Sequence, residues 1–150
     1  LTAYVVGTLA TRRMDYVANW HVPVLMIGSV LPDLSKLYLV VSEHSVSGVI
    51  GVPFSWEGLH TLGPIVILSL ASALFFCHRY QRAAFAGLTS GAVLHLGLDS
   101  LLIRANGHVP SYFFPVTWWQ YPSGNVYLSS DIWLSLCAVV VATAVFLIDR

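Results

Sequence analysis

The chain has 150 residues, the length of one domain, of which 57% are hydrophobic and only 9% charged, and its formal net charge is zero. Soluble domains run about 45–50% apolar and about 25% charged, so this chain has too few charges to break up its apolar surface in water. A mean hydropathy of +0.75 points instead to the lipid bilayer as solvent, and the longest basic cluster, Arg12-Arg13, is too small to suggest a nucleic-acid partner.

The opening segment "LTAYVVGTLA" is too short to span alone and is expected to lie in the interface or to pack as a half-helix against a bundle. It is followed, not preceded, by its arginines, so no cleavable signal peptide is expected. Four later stretches have about the 20 mainly apolar residues that a crossing needs, at 20–41, 55–77, 83–103 and 130–148. The expected fold is all-α: a multi-pass transmembrane helical bundle of about four spans plus a short N-terminal helix, in a single domain. Cys77 and Cys137 fall inside apolar runs without metal-binding or CxxC spacing and read as buried small hydrophobes.

Pro32 and Pro64 lack the amide that would donate to Gly28 and His60, so the first two spans are expected to kink there. In the third span Gly87 and Gly91 form a GxxxG pattern with Ser90 alongside, a face that allows close helix approach and suits a membrane-protein partner. The loop 104–129 carries Tyr112, Phe113, Phe114, Trp118, Trp119, Tyr121 and Tyr127 among Pro110, Pro115, Pro122 and Gly124. It reads either as an interfacial aromatic belt or as a lid over a site near the outer surface. Arg12, Arg13, Arg79, Arg82 and Arg150 flank the spans on one side, which predicts cytoplasmic N- and C-termini.

Ionisable residues inside the apolar runs are few: Asp33 and Lys36, Glu57 and His60, His95 and Asp99, and Asp131. Each costs roughly 2.5–3.5 kcal/mol at mid-membrane and therefore marks a candidate site. His95 and Asp99 are spaced i,i+4 and Glu57 and His60 i,i+3, so each pair shares a helix face, with Ser55 able to cap the second helix. By depth, Asp33, His60, His95 and Asp99 all fall in the outward half and can converge in one outward-facing pocket. Imidazole and carboxylate suit a divalent metal, with zinc expected, and such an ion activates water for hydrolysis near neutral pH. Glu57 is then the candidate general base and Asp131 the second candidate.

A simpler arrangement uses the same residues. His95 bonded to Asp99 and Asp33 paired with Lys36 would satisfy these groups without a metal. The remaining histidines, His21, His44, His78 and His108, fall at span ends or in loops, where solvation is the default. A ferritin-like dimetal bundle would need two Glu-x-x-His pairs, and only Glu57 with His60 qualifies.

The segments "GSVLPDLSKL", "SWEGLHTLG", "GAVLHLGLDSLL" and "YFFPVTWWQYP", in this order, resemble the YdjM-like (DUF457) family of prokaryotic inner-membrane proteins, described as membrane-bound metal-dependent hydrolases. The resemblance implies a helical multi-pass fold distantly similar to zinc-dependent phospholipases C and related nucleases, which cleave phosphoesters with clustered metal ions. It places Asp33, His60, His95 and Asp99 at ligand positions and Pro115 in the later aromatic segment. Ser35, Ser55 and Tyr4 stand where the family pattern has an aspartate, a histidine and, near the start, another histidine, which leaves about four ligands. The expectation is a membrane-embedded hydrolase of an ester or phosphoester in a lipid-like or membrane-proximal substrate. The rival expectations are a non-catalytic membrane subunit or scaffold and a small proton or cation relay.

Overall fold

The computed structural model describes residues 1–14 and 18–149, and the described residues contain no β-strand. Helix α1 (Thr2–Arg13) ends on two arginines that complement its dipole. Helix α2 (His21–Gly28) runs through a two-residue turn into a 3₁₀ segment, Leu31–Leu39. Helix α3 (Glu43–Ile50) is capped by the Ser42 hydroxyl, which accepts from the Ser45 amide, and stops at Gly51 in the left-handed region. A 3₁₀ turn, Trp56–His60, leads to α4 (Leu62–Ala73), and a second one, His78–Tyr80, to α5 (Gln81–Asp99). Helix α6 (Ile132–Asp149) ends the described chain.

Helix α5 is the hub. Its buried residues Ala84, Leu88, Gly91, Ala92 and Leu96 recur at helical spacing and face two clusters. One, toward the start of the helix, joins Val24 of α2 and Ala73 of α4 to Ala84 and Leu88. The other joins Ile65 of α4 to Ala92, Leu96, Val109 and Tyr112. Helices α2 and α5 meet backbone to backbone: a Cβ on Gly91 would collide with the Leu25 carbonyl, and one on Gly28 would stand 2.7 Å from Leu88 Cα. The face carrying Gly87 and Gly91 is therefore filled from within the chain by α2. Helix α1 packs on α2 through Gly7, where a Cβ would sit 3.3 Å from Val22, so the opening segment is a half-helix of the bundle.

Three expectations need correction. By length and composition a single stretch among the described residues, His21–Leu39, is long and apolar enough to cross a membrane, whereas Leu62–Ala73 and Ile132–Ile148 are apolar but shorter. The second expected span breaks at Thr61, whose backbone is extended at φ −127° and ψ 159°, and Pro64 falls in the first turn of α4, where its missing amide costs nothing. Pro32 likewise starts the 3₁₀ segment, so both prolines mark boundaries and not kinks within continuous helices. The third expected span corresponds to α5, in which Thr89, Ser90, His95 and Asp99 dilute the apolar run. The cysteines are also not buried: Cys77, in the turn after α4, and Cys137, on α6, are exposed free thiols. Arg150, one of the charges behind the expected orientation, lies outside the described residues.

The long connection from α5 to α6 is held down by its backbone. Amides of Gly124 and Val126 donate to the Ser100 and Leu101 carbonyls, Ile103 donates to Tyr127, and the Tyr127 hydroxyl donates to the Leu98 carbonyl. At the other side the Leu62 and Gly63 amides, at the start of α4, donate to the Tyr112 and Phe114 carbonyls. Gly63 is required there, since a Cβ would lie 2.6 Å from Pro115. These bonds set Val109 and Tyr112 into the core and leave Val116, Trp118 and Trp119 outside.

Candidate metal centre

Two breaks in the helical pattern and the end of α5 bring the polar residues together. The turn after α2 places Asp33, the 3₁₀ turn before α4 places His60, and the last two turns of α5 place His95 and Asp99. His60 Nε2 lies 3.0 Å from Asp99 Oδ2, and His95 Nε2 lies 3.7 Å from the same oxygen and 3.6 Å from Asp33 Oδ1. The two imidazoles stand edge to face with centroids 5.6 Å apart. His60, His95 and Asp99 each offer a ligand atom within 4.8 Å of the others and form a group that could hold a metal ion. Three of the four candidate ligands expected from the sequence form this group, and the fourth, Asp33, lies beside His95.

The outer hydrogen bonds fit that use. His60 Nδ1 lies 3.1 Å from the Pro32 carbonyl, and the Ser29 backbone hydrogen-bonds the His95 ring. A backbone carbonyl behind an imidazole fixes the tautomer that presents the opposite nitrogen, the arrangement metal-ligating histidines favour. Asp33 Oδ1 is a buried oxygen without a hydrogen bond of good geometry, although the Lys36 ammonium stands at ion-pair distance, 2.6 Å. A carboxylate oxygen facing an exposed ammonium, two fixed imidazoles and a second carboxylate are donors suited to a divalent cation.

Glu57 and Asp131 are not drawn into this cluster. Glu57 is exposed on the 3₁₀ turn, three residues before His60. Asp131 Oδ2 accepts from the Leu128 amide at 2.8 Å and shapes the entry to α6. Ser55 starts the turn, but its hydroxyl donates to Glu43, which also accepts from the Trp56 amide and so ties α3 to this segment. Among the other histidines, His21 stacks on Trp20 at 3.9 Å and His108 bonds within its own turn to Asn106.

Two neighbours of the site carry no signal in local spacing. The Tyr112 ring lies 5.8 Å from His60, and its hydroxyl accepts from Arg104 at 3.2 Å. Burial pushes the Tyr112 phenol up to about 12, partly offset by the Arg104 guanidinium. Tyr112 is thus the wall of the site, while the tryptophans of the same loop are exposed. No family model, curated protein or solved structure matches the chain.

Proposed function

We propose that this protein is a membrane-embedded metal-dependent hydrolase acting on an ester or phosphoester of a lipid-like or membrane-proximal substrate. The observation that carries the reading is the grouping of His60, His95 and Asp99 within ligand reach of one another, with Asp33 of a third segment beside His95. His60, His95 and Asp99 would hold the metal, with zinc expected, and Asp33 is placed to complete the set. A bound divalent ion supplies Lewis acidity and brings the pKa of its water to about 7. Glu57, three residues before His60 on a turn where i and i+3 eclipse, is the candidate base, with Asp131 second. The resemblance to the YdjM-like family supports the same ligand set.

Membrane placement rests on exposed apolar surface. Only 17% of the window in His21–Leu39 is buried, and Phe75, Val49, Val40 and Val116 are more than four-fifths exposed. Exposed apolar side chains of this kind are covered by lipid or by a partner. We place α4, α5 and α6 alongside that stretch as a multi-pass bundle, with the termini cytoplasmic and the metal centre outward.

A second reading is favoured by the direct 3.0 Å contact of His60 with Asp99 and the Lys36–Asp33 ion pair. The first joins two segments and the second neutralises Asp33 within its own, both without a metal, as in a non-catalytic scaffold. Metal analysis of protein purified without chelators separates the two. The hydrolase reading expects stoichiometric metal that is lost in His95→Ala, and phosphoesterase or lipase activity that falls with Glu57→Gln. Absence of metal from the unsubstituted protein leaves the scaffold.

A further inference from the structure

A second feature lies away from the metal centre. A shallow apolar groove runs along α5 where α1 and α2 lean against it, in two joined parts of about 430 and 400 Å³ that share Val6, Leu25 and Ser90. Its floor is made of small side chains, among them Ala86, so a slender chain can lie along the helices. From Ala83 to Leu94 it extends about 16 Å at ~1.5 Å per residue. That is the depth of one leaflet's hydrocarbon, half of the roughly 30 Å core.

The two ends of the groove differ in charge. His21 lines the end toward the start of α5. Arg13 continues the face of α1 that carries Val6 and Ala10, and Arg82 lies one turn before Ala86 on α5; both arginines are exposed. Trp20 and Tyr80 pack edge to face here at 5.3 Å, amphipathic aromatics of the kind that settle at headgroup depth. Asp33 and Asp99, the acids of the metal centre, lie toward the other end of α5.

We infer that this groove binds one anionic glycerophospholipid, with an acyl chain along α5 and the phosphate at Arg13, Arg82 and His21. The apolar lining accepts the chain, its length matches one leaflet, and the cationic end selects the headgroup. Long arginine side chains lay their stems along the hydrocarbon and hold their heads at the interface, where each attracts anionic lipid. The inference rests on the membrane placement proposed above but not on the hydrolase reading.

The test uses the full chain in nanodiscs of equimolar phosphatidylcholine and phosphatidylglycerol, followed by detergent release and native mass spectrometry of retained lipid. Phosphatidylglycerol should be retained in preference by roughly thirtyfold, the scale expected of two interfacial arginines. An Arg13→Gln/Arg82→Gln variant should lose the preference and keep its phosphatidylcholine. Ala86→Phe, on an exposed position outside the core, should lower retention of both lipids. Equal retention of the two lipids, an unchanged preference in the double variant, or unchanged retention in Ala86→Phe would each overturn the site. Failure of the chain to enter nanodiscs at all would overturn it together with the membrane placement.

Discussion

At the scale of single residues, Lys36 competes with whatever else Asp33 holds. Its ammonium is 65% exposed and stands 2.6 Å from Asp33 Oδ1, so it contributes little to stability and much to the local charge. Lys36→Met should therefore tighten metal binding several-fold in a chelator competition assay; weaker binding would remove Asp33 from the ligand set. Asp99→Asn should act the other way, because the amide keeps the shape beside His60 but lacks the anionic oxygen that both imidazoles face. A loss of at least tenfold in metal affinity is expected, the scale of even an outer-shell change. Tyr112 gives a pH signature: its phenol, ordinarily near 10, is pushed up to about 12 by burial. The folded state thus keeps its proton where the unfolded chain has lost it, so stability is full below pH 10 and falls as the pH rises toward 12. Tyrosinate absorbance should show this late step, and Tyr112→Phe should delete it. The candidate ligands were legible in the sequence because an acid or imidazole in a greasy run is conspicuous. Tyr112 was not, since an aromatic in an aromatic loop carries no mark of its partner.

At the scale of elements, the glycines of α5 differ sharply in what surrounds them. Gly91 faces the backbone of α2, and its Cβ would collide with the Leu25 carbonyl, which cannot move without shifting the helix. Nothing lies within 4 Å of a Cβ on Gly97. Gly91→Ala should destabilise by about 1–3 kcal/mol as overpacking does, whereas Gly97→Ala should stabilise by up to about 1 kcal/mol through backbone entropy. Thermal unfolding in one detergent, followed by circular dichroism, compares them; equal effects would mean that α2 and α5 do not touch as described. The GxxxG pattern predicted a close helix contact but not which helix makes it. Spacing describes one face, whereas the neighbour is chosen by chain connections such as the short link from α1 to α2. Helix ends were hidden for a related reason: Pro32 and Pro64 announce interruption, but whether a proline kinks a helix or begins a new one depends on whether the residues before it are held by other contacts. Here the Pro32 carbonyl is bonded by His60, and the Leu62 amide is taken by Tyr112.

At the scale of the whole molecule, composition points toward lipid as solvent but does not count the crossings. An apolar fraction of 57% is shared among helices that are mostly short, and only His21–Leu39 has the length and composition of a span. The two cysteines offer a direct test of how the rest lies in lipid. Cys77 is exposed in the turn beside His78 and Arg79, at the basic end that the positive-inside rule assigns to the cytoplasm. Cys137 is exposed on α6 between Leu136 and Ala138, among side chains suited to hydrocarbon. A membrane-impermeant maleimide should label Cys77 in inside-out vesicles and not in right-side-out ones, and should reach Cys137 only after detergent is added. Labelling of Cys137 in intact vesicles of either orientation would mean that α6 stands in water. The apolar face of α6 would then need a protein partner in place of lipid, and the bundle would be membrane-attached through His21–Leu39 alone.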